Sequence, residues 1–79
     1  MTMETEEIPL KQQFEEIVAT EDKLAIQEFL NDQHISDVAG LIYEYPDYET
    51  QIIAHLSIHR AASVFKILDI NEQKRIIKN

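Results

Sequence analysis

The sequence predicts an all-α fold made of short antiparallel helical hairpins stacked on one another as a solenoid. Three observations carry this. One glycine and two prolines in 79 residues leave few strong helix breakers. The apolar residues recur at steps of three and four, the spacing of one helical face. Two of those stripes are then related by a constant offset, which marks an internal repeat.

Taken in order, residues 1–7 read as a frayed, polar leader. A first helix is predicted from Ile8 to Val18, with Pro9 suited to a first turn and Leu10, Phe14, Ile17 and Val18 on one face. Thr20 is the expected N-cap of a second helix, with Glu21 and Asp22 favouring its positive end. That helix carries Leu24, Ile26, Phe29 and Leu30 and fades at Asn31-Asp32. From His34 the stripe sharpens into Ile35, Val38, Ile42 and Tyr45, and Pro46 stops the third helix because the preceding residue is driven out of the α region. Asp47 is the expected cap of a fourth helix bearing Tyr48, Ile52, Ile53 and Leu56. Ser57 caps a fifth, with the stripe Ile58, Ala61, Phe65 and Leu68. Asn71 is the expected cap of a sixth, with Ile76 and Ile77 as its apolar face.

The repeat offset is 23 residues. Ile35 maps to Ile58, Val38 to Ala61, Ala39 to Ala62, Leu41 to Val64, Ile42 to Phe65 and Tyr45 to Leu68, then Glu49 to Glu72 and Ile53 to Ile76. A hairpin of two short helices cannot bury its face alone, so copies stack. The last helix follows this pattern without a polar capping unit behind it, so the expectation is a solenoid truncated at its C-terminal end. Residues 8–79 would then be a partial domain. Ile76 and Ile77, with Phe65, Ile67 and Leu68 near them, predict self-association through the C-terminal helices, an isologous homodimer being the simplest closed form.

Charge narrows the functional classes. The formal net charge is −8. Residues 1–23 carry net −5, and residues 24–59 carry six acids and no Lys or Arg, while residues 60–79 are net +3. No basic face of the kind that neutralises phosphates is present, which argues against nucleic acid. No apolar run reaches the ~18–20 residues needed to span a bilayer, so no direct membrane insertion is expected. The acidic N-terminal residues are the reverse of a signal peptide. The absence of cysteine suits a reducing cytoplasm.

Catalytic chemistry finds little to work with. There is no thiol nucleophile and no glycine-rich phosphate loop, and Ser36, Ser57 and Ser63 sit where capping or packing accounts for them. His55 and His59 have the spacing of a helical zinc pair, but Ser57 between them begins a new helix and should separate the rings. An acyl-carrier reading fails because Ser36 precedes Asp37 instead of following an Asp. Carboxylates remain. Glu44, Asp47 and Glu49 crowd the Pro46 turn and are the candidate ligands for Mg²⁺, a hard cation that takes one or two carboxylates and keeps several waters. Asp47 also has the competing role of a helix cap.

The segment His34-Ile35-Ser36-Asp37-Val38-Ala39-Gly40-Leu41-Ile42-Tyr43-Glu44, followed by Arg60-Ala61-Ala62-Ser63-Val64-Phe65 and Leu68-Asp69, resembles the intracellular N-terminal domain of MgtE-type magnesium transporters. That family has His-Pro-x-Asp-Leu-Ala at the start of one helix and Ala-Ala-x-Val-Leu in a later one. Ile35 stands in place of the usual Pro. The resemblance implies a right-handed superhelix on the cytoplasmic side of the membrane, ahead of a pair of CBS domains and a transmembrane pore as its partners. It also implies a regulatory, non-enzymatic role in which Mg²⁺ bridges acidic surfaces of the N-terminal and CBS domains and favours a closed pore. Ser63 stands where the family often has a Glu that reaches an interdomain ion, so that ligand is missing here. The alternative is a helical-repeat scaffold for protein interaction, as in flagellar motor switch proteins, with no metal role.

Overall fold

The structure, a computed structural model, describes residues 8–78; the leader expected over 1–7 and Asn79 lie outside the described residues. All regular structure among them is helical. Six α-helices follow one another: α1 Leu10–Ala19, α2 Lys23–Asn31, α3 Ile35–Glu44, α4 Glu49–His55, α5 Ile58–Ile67 and α6 Ile70–Lys78, with a 3-10 turn Pro46–Tyr48 leading into α4. The molecule is elongated, 48 × 24 × 22 Å. Helix α1 packs on α2, α2 on α4, and α3 on both α4 and α5. None of these helices is long and apolar enough to cross a membrane.

The core runs along this stack and consists of Phe14, Leu30, Val38, Ala39, Leu41, Ile42, Ile52, Leu56, Val64 and Leu68. Helix α3 supplies four of these residues, because it is covered by α4 on one side and α5 on the other. Helix α5 is covered chiefly by α3, and there the expected stripe is corrected. Val64 is fully buried, whereas Ile58 is 81% exposed. The buried face of α5 therefore runs through Ala61, Val64 and Phe65 toward Leu68. The self-association face shrinks for the same reason, since Leu68 belongs to the core and Ile76 packs against it.

The 23-residue offset holds for the backbone. Helices α3 and α5 are both ten residues long, begin 23 residues apart and are flanked by His34 and Tyr45, and by Ser57 and Leu68, at matching positions. The following helices diverge because Pro46 is matched by Asp69. After Pro46 the chain makes a 3-10 turn closed by Tyr48 N donating to Tyr45 O at 2.9 Å. After Leu68, Asp69 caps α6 at once, its Oδ1 accepting from Glu72 N at 2.9 Å. Asn71, the expected cap, is the second residue of that helix.

Two more caps differ from expectation. Thr20 closes α1 instead of opening α2: its hydroxyl donates to Ile17 O at 2.7 Å, and Glu21 follows in the left-handed region at φ 57°, a common helix ending. Asp22 is the cap of α2, accepting from Ala25 N at 3.1 Å. Asp47 caps nothing. It lies inside the 3-10 turn, and α4 starts after Tyr48 without a side-chain cap. Ser57 behaves as expected, its hydroxyl accepting from Arg60 N at 3.4 Å.

Three side chains tie turns to helices distant in sequence. Asn31 Nδ2 donates to His55 O at 3.0 Å while its Oδ1 accepts from Ser57 N at 2.9 Å, holding the α4–α5 turn against the end of α2. Tyr43 Oη accepts from Asp69 N at 2.9 Å and does the same for the α5–α6 turn. Arg60 donates through Nη2 to the carbonyls of Leu30 and Gln33, tying the start of α5 to the turn after α2.

Gly40 lies in the middle of α3, exposed, and a methyl group there would meet nothing within 4 Å. Gly40→Ala should therefore stabilise the fold by about 0.5–1 kcal/mol, since Ala loses less backbone freedom on entering a helix. An unchanged or lower midpoint in a urea melt would contradict this.

Candidate functional site

The three candidate magnesium ligands do not converge. Glu44, at the end of α3, is exposed and pairs with Lys11 Nζ at 3.4 Å. Asp47 is exposed in the 3-10 turn. Glu49 is turned inward, only 4% exposed, because it opens α4 on the face that meets α6. Among the described residues no group of three His, Asp or Glu side chains is arranged to hold a metal ion. His55 and His59 fall on different helices. His55 is half-buried at the end of α4, its Nδ1 lying 2.7 Å from Gln51 O, and His59 is exposed in α5.

Glu49 instead belongs to a charge cluster that joins the two repeats. Arg75 Nε lies 3.6 Å from Glu49 Oε1, and Arg75 Nη2 bonds Glu72 Oε2. Glu72 is 7% exposed and occupies the position equivalent to Glu49 under the 23-residue offset. One half-exposed guanidinium thus compensates two repeat-related, buried carboxylates. Both oxygens of Glu49 and Oε1 of Glu72 accept no hydrogen bond, so the compensation is largely Coulombic. The cluster was not legible beforehand because the sequence places Arg75 26 residues from Glu49.

The remaining acids of the basic-free stretch stay at the surface. Glu28 and Asp32 on α2 and Asp47 are exposed, Asp37 in the first turn of α3 is half-buried, and none of the four lies within ion-pairing distance of a cation among the described residues. A groove between α2 and α4 is lined by Val18, Ala19, Glu21, Lys23, Ile26, Tyr48, Gln51 and His55.

At the other side of α1, Tyr45 donates its hydroxyl to Glu15 Oε2 at 2.6 Å. That bond raises the phenol pKa to about 12 from 10.0, helped by burial and by the charges of Glu15 and Glu44. Because the folded-state value lies above the unfolded one, the stability gained is fully present below pH 10 and disappears as pH rises through 12. Urea melts on an alkaline series should show this loss in the parent chain. Tyr45→Phe should be less stable at neutral pH and show a smaller alkaline decline. Identical pH dependence in both chains would remove the assignment.

No protein-family model matches the chain, and neither a characterised protein nor a solved structure matches it significantly.

Proposed function

We propose that this chain is a regulatory, non-enzymatic helical module of an MgtE-type magnesium transporter. On this reading its helices form part of a right-handed superhelix on the cytoplasmic side, next to CBS domains and a pore. The observation that carries the reading is that Glu28, Asp32, Asp37 and Asp47 have no cation within ion-pairing distance among the described residues. The motif resemblance in α3 and α5 supplies the family. Facing carboxylate surfaces repel until cations sit between them, so Mg²⁺ concentration would set the spacing of two acidic domains. Exposed Glu44 and Asp47 can take part in such bridging. Glu49, held by Arg75, serves to join α4 to α6.

A shared site predicts weak binding to one half. The isolated chain titrated with millimolar MgCl₂ should give little heat and only diffuse, non-saturating amide shifts. One saturable tight site would overturn the shared-surface reading. In a protein carrying this module beside an acidic CBS pair, Mg²⁺ should shorten the distance between fluorescent labels on the two. Asp32→Asn with Asp47→Asn should blunt that response. A distance indifferent to Mg²⁺ would favour a plain interaction scaffold, the reading supported by the exposed apolar residues of α6.

A further inference from the structure

Helix α5 repeats α3 in length and register but not in burial. On α3, Ile35, Ala39 and Tyr43 form one stripe at i, i+4, i+8, with Ile42 beside it. That stripe faces α5. Tyr43 Oη accepts from Asp69 N at the end of α5, and Arg60 in the first turn of α5 donates to Leu30 O and Gln33 O just before α3. The two helices therefore run parallel, start beside start and end beside end. Under this cover Ala39 is 5% and Ile42 0% exposed, and Ile35 is half-buried. The equivalent stripe of α5 is Ile58, Ala62 and Lys66, beside Phe65, and it keeps the apolar character except at its last position. Yet Ile58 is 81% exposed, Ala62 is exposed and Phe65 is only half-buried. Among the described residues no helix covers this stripe.

We infer that the exposed stripe of α5 docks one further helix, supplied by a partner protein, which runs parallel to α5 and presents to it the face that α5 presents to α3. The α3–α5 interface, continued by one layer, specifies the occupant. Its helix carries small and branched apolar residues at the i, i+3, i+7 spacing of Ala61, Val64 and Leu68, so that it approaches Ala62 as closely as α5 approaches Ala39. An Arg at its third position would reach the carbonyls of Ile53 and Leu56, which stand where Leu30 and Gln33 stand one repeat earlier. Lys66 takes the place of Tyr43 in the last turn of α5, beside the C-terminus of the incoming helix, where the helix dipole favours an ammonium group. A second copy of this chain does not offer the required face, because its own Val64 and Leu68 are already core and Ala61 packs against them. Neither Mg²⁺ nor the acidic residues of α2 enter this contact.

A fluorescently labelled peptide of residues 57–79 is the probe, since it carries the face that covers the equivalent stripe of α3. Its anisotropy should rise saturably on titration with the full chain. Ile58→Glu in the full chain should weaken binding about 10- to 100-fold, the value of burying one such side chain. At 81% exposure that change should leave the fold intact, which circular dichroism will check. The same substitution in the peptide should be silent, because there Ile58 points away from the contact, whereas Val64→Glu in the peptide should abolish binding. Loss of binding from Ile58→Glu in either partner would show an α5–α5 contact between like faces. No loss from it in the full chain would show that the peptide displaces the chain's own α5 from α3. Both results overturn the inference. Joining the peptide sequence directly after Asn79 keeps the 23-residue register and frees the peptide from having to fold alone. The urea midpoint of the lengthened chain should rise above the parent's and fall back when Ile58→Glu is made in the first copy. An unchanged midpoint would overturn the inference whatever the free peptide does.

Discussion

Replacing Phe14 by alanine is expected to cost about 3–5 kcal/mol, the usual loss for deleting a fully buried aromatic ring. Phe14 is 1% exposed and is the one fully buried residue of α1. Its ring lies 5.0 Å from that of Tyr45 and 5.7 Å, edge-on, from that of Tyr48. Those tyrosines flank Pro46, so this cluster joins the first helix to the turn between α3 and α4. A chain of this size has roughly 4–12 kcal/mol of total stability, and the loss would take up a large part of it. Urea denaturation followed by far-UV circular dichroism should show a single transition at a much lower midpoint. Phe14→Leu, which keeps most of the volume, should lose far less. An early, separate loss of one helix's signal with the main midpoint unchanged would mean that α1 is not part of the cooperative unit.

Arg75→Met is expected to be the most damaging change at a partly exposed position, at about 3 kcal/mol. Removing one partner of a buried ion pair leaves the other charge uncompensated, and the cost falls at the low end of the usual range because the guanidinium is half in water. Here one substitution strands two carboxylates, Glu49 and Glu72, which are 4% and 7% exposed. Adding Glu49→Gln and Glu72→Gln to Arg75→Met should restore most of the loss, since the repulsion between the two glutamates disappears with the charge. Replacing all three residues by apolar side chains of similar volume should be neutral or stabilising. An Arg75→Met chain as stable as its parent would show that water reaches Glu49 and Glu72 and that the cluster contributes little.

Much of the local structure was legible in the amino-acid order, because helices obey short-range rules. Apolar steps of three and four marked α3, Pro46 marked its end, Ser57 marked the start of α5, and the 23-residue offset matched two ten-residue helices. Caps were less legible where two candidates competed within a turn. Thr20 lost to Asp22, and Asn71 to Asp69, because Thr20's hydroxyl donates back to the carbonyl of Ile17 while its oxygen accepts from Asp22 N, and because Asp69's amide is anchored by Tyr43.

The sequence by itself determined that this protein is helical, where most of its helices lie, and that its charge is divided between an acidic body and a basic C-terminal segment. Those properties depend on residues within a turn or two of one another, or on composition alone. The tertiary structure decided which apolar residues are core, since a helix with two neighbours, such as α3, buries more of its circumference than α5. Only that packing could leave Ile58 in water and hide Val64. It also decided that Glu49 faces Arg75 while Glu44 and Asp47 remain at the surface. The partner of a buried charge comes from whichever helix packs against it, and nothing in the residues around Glu49 specifies α6.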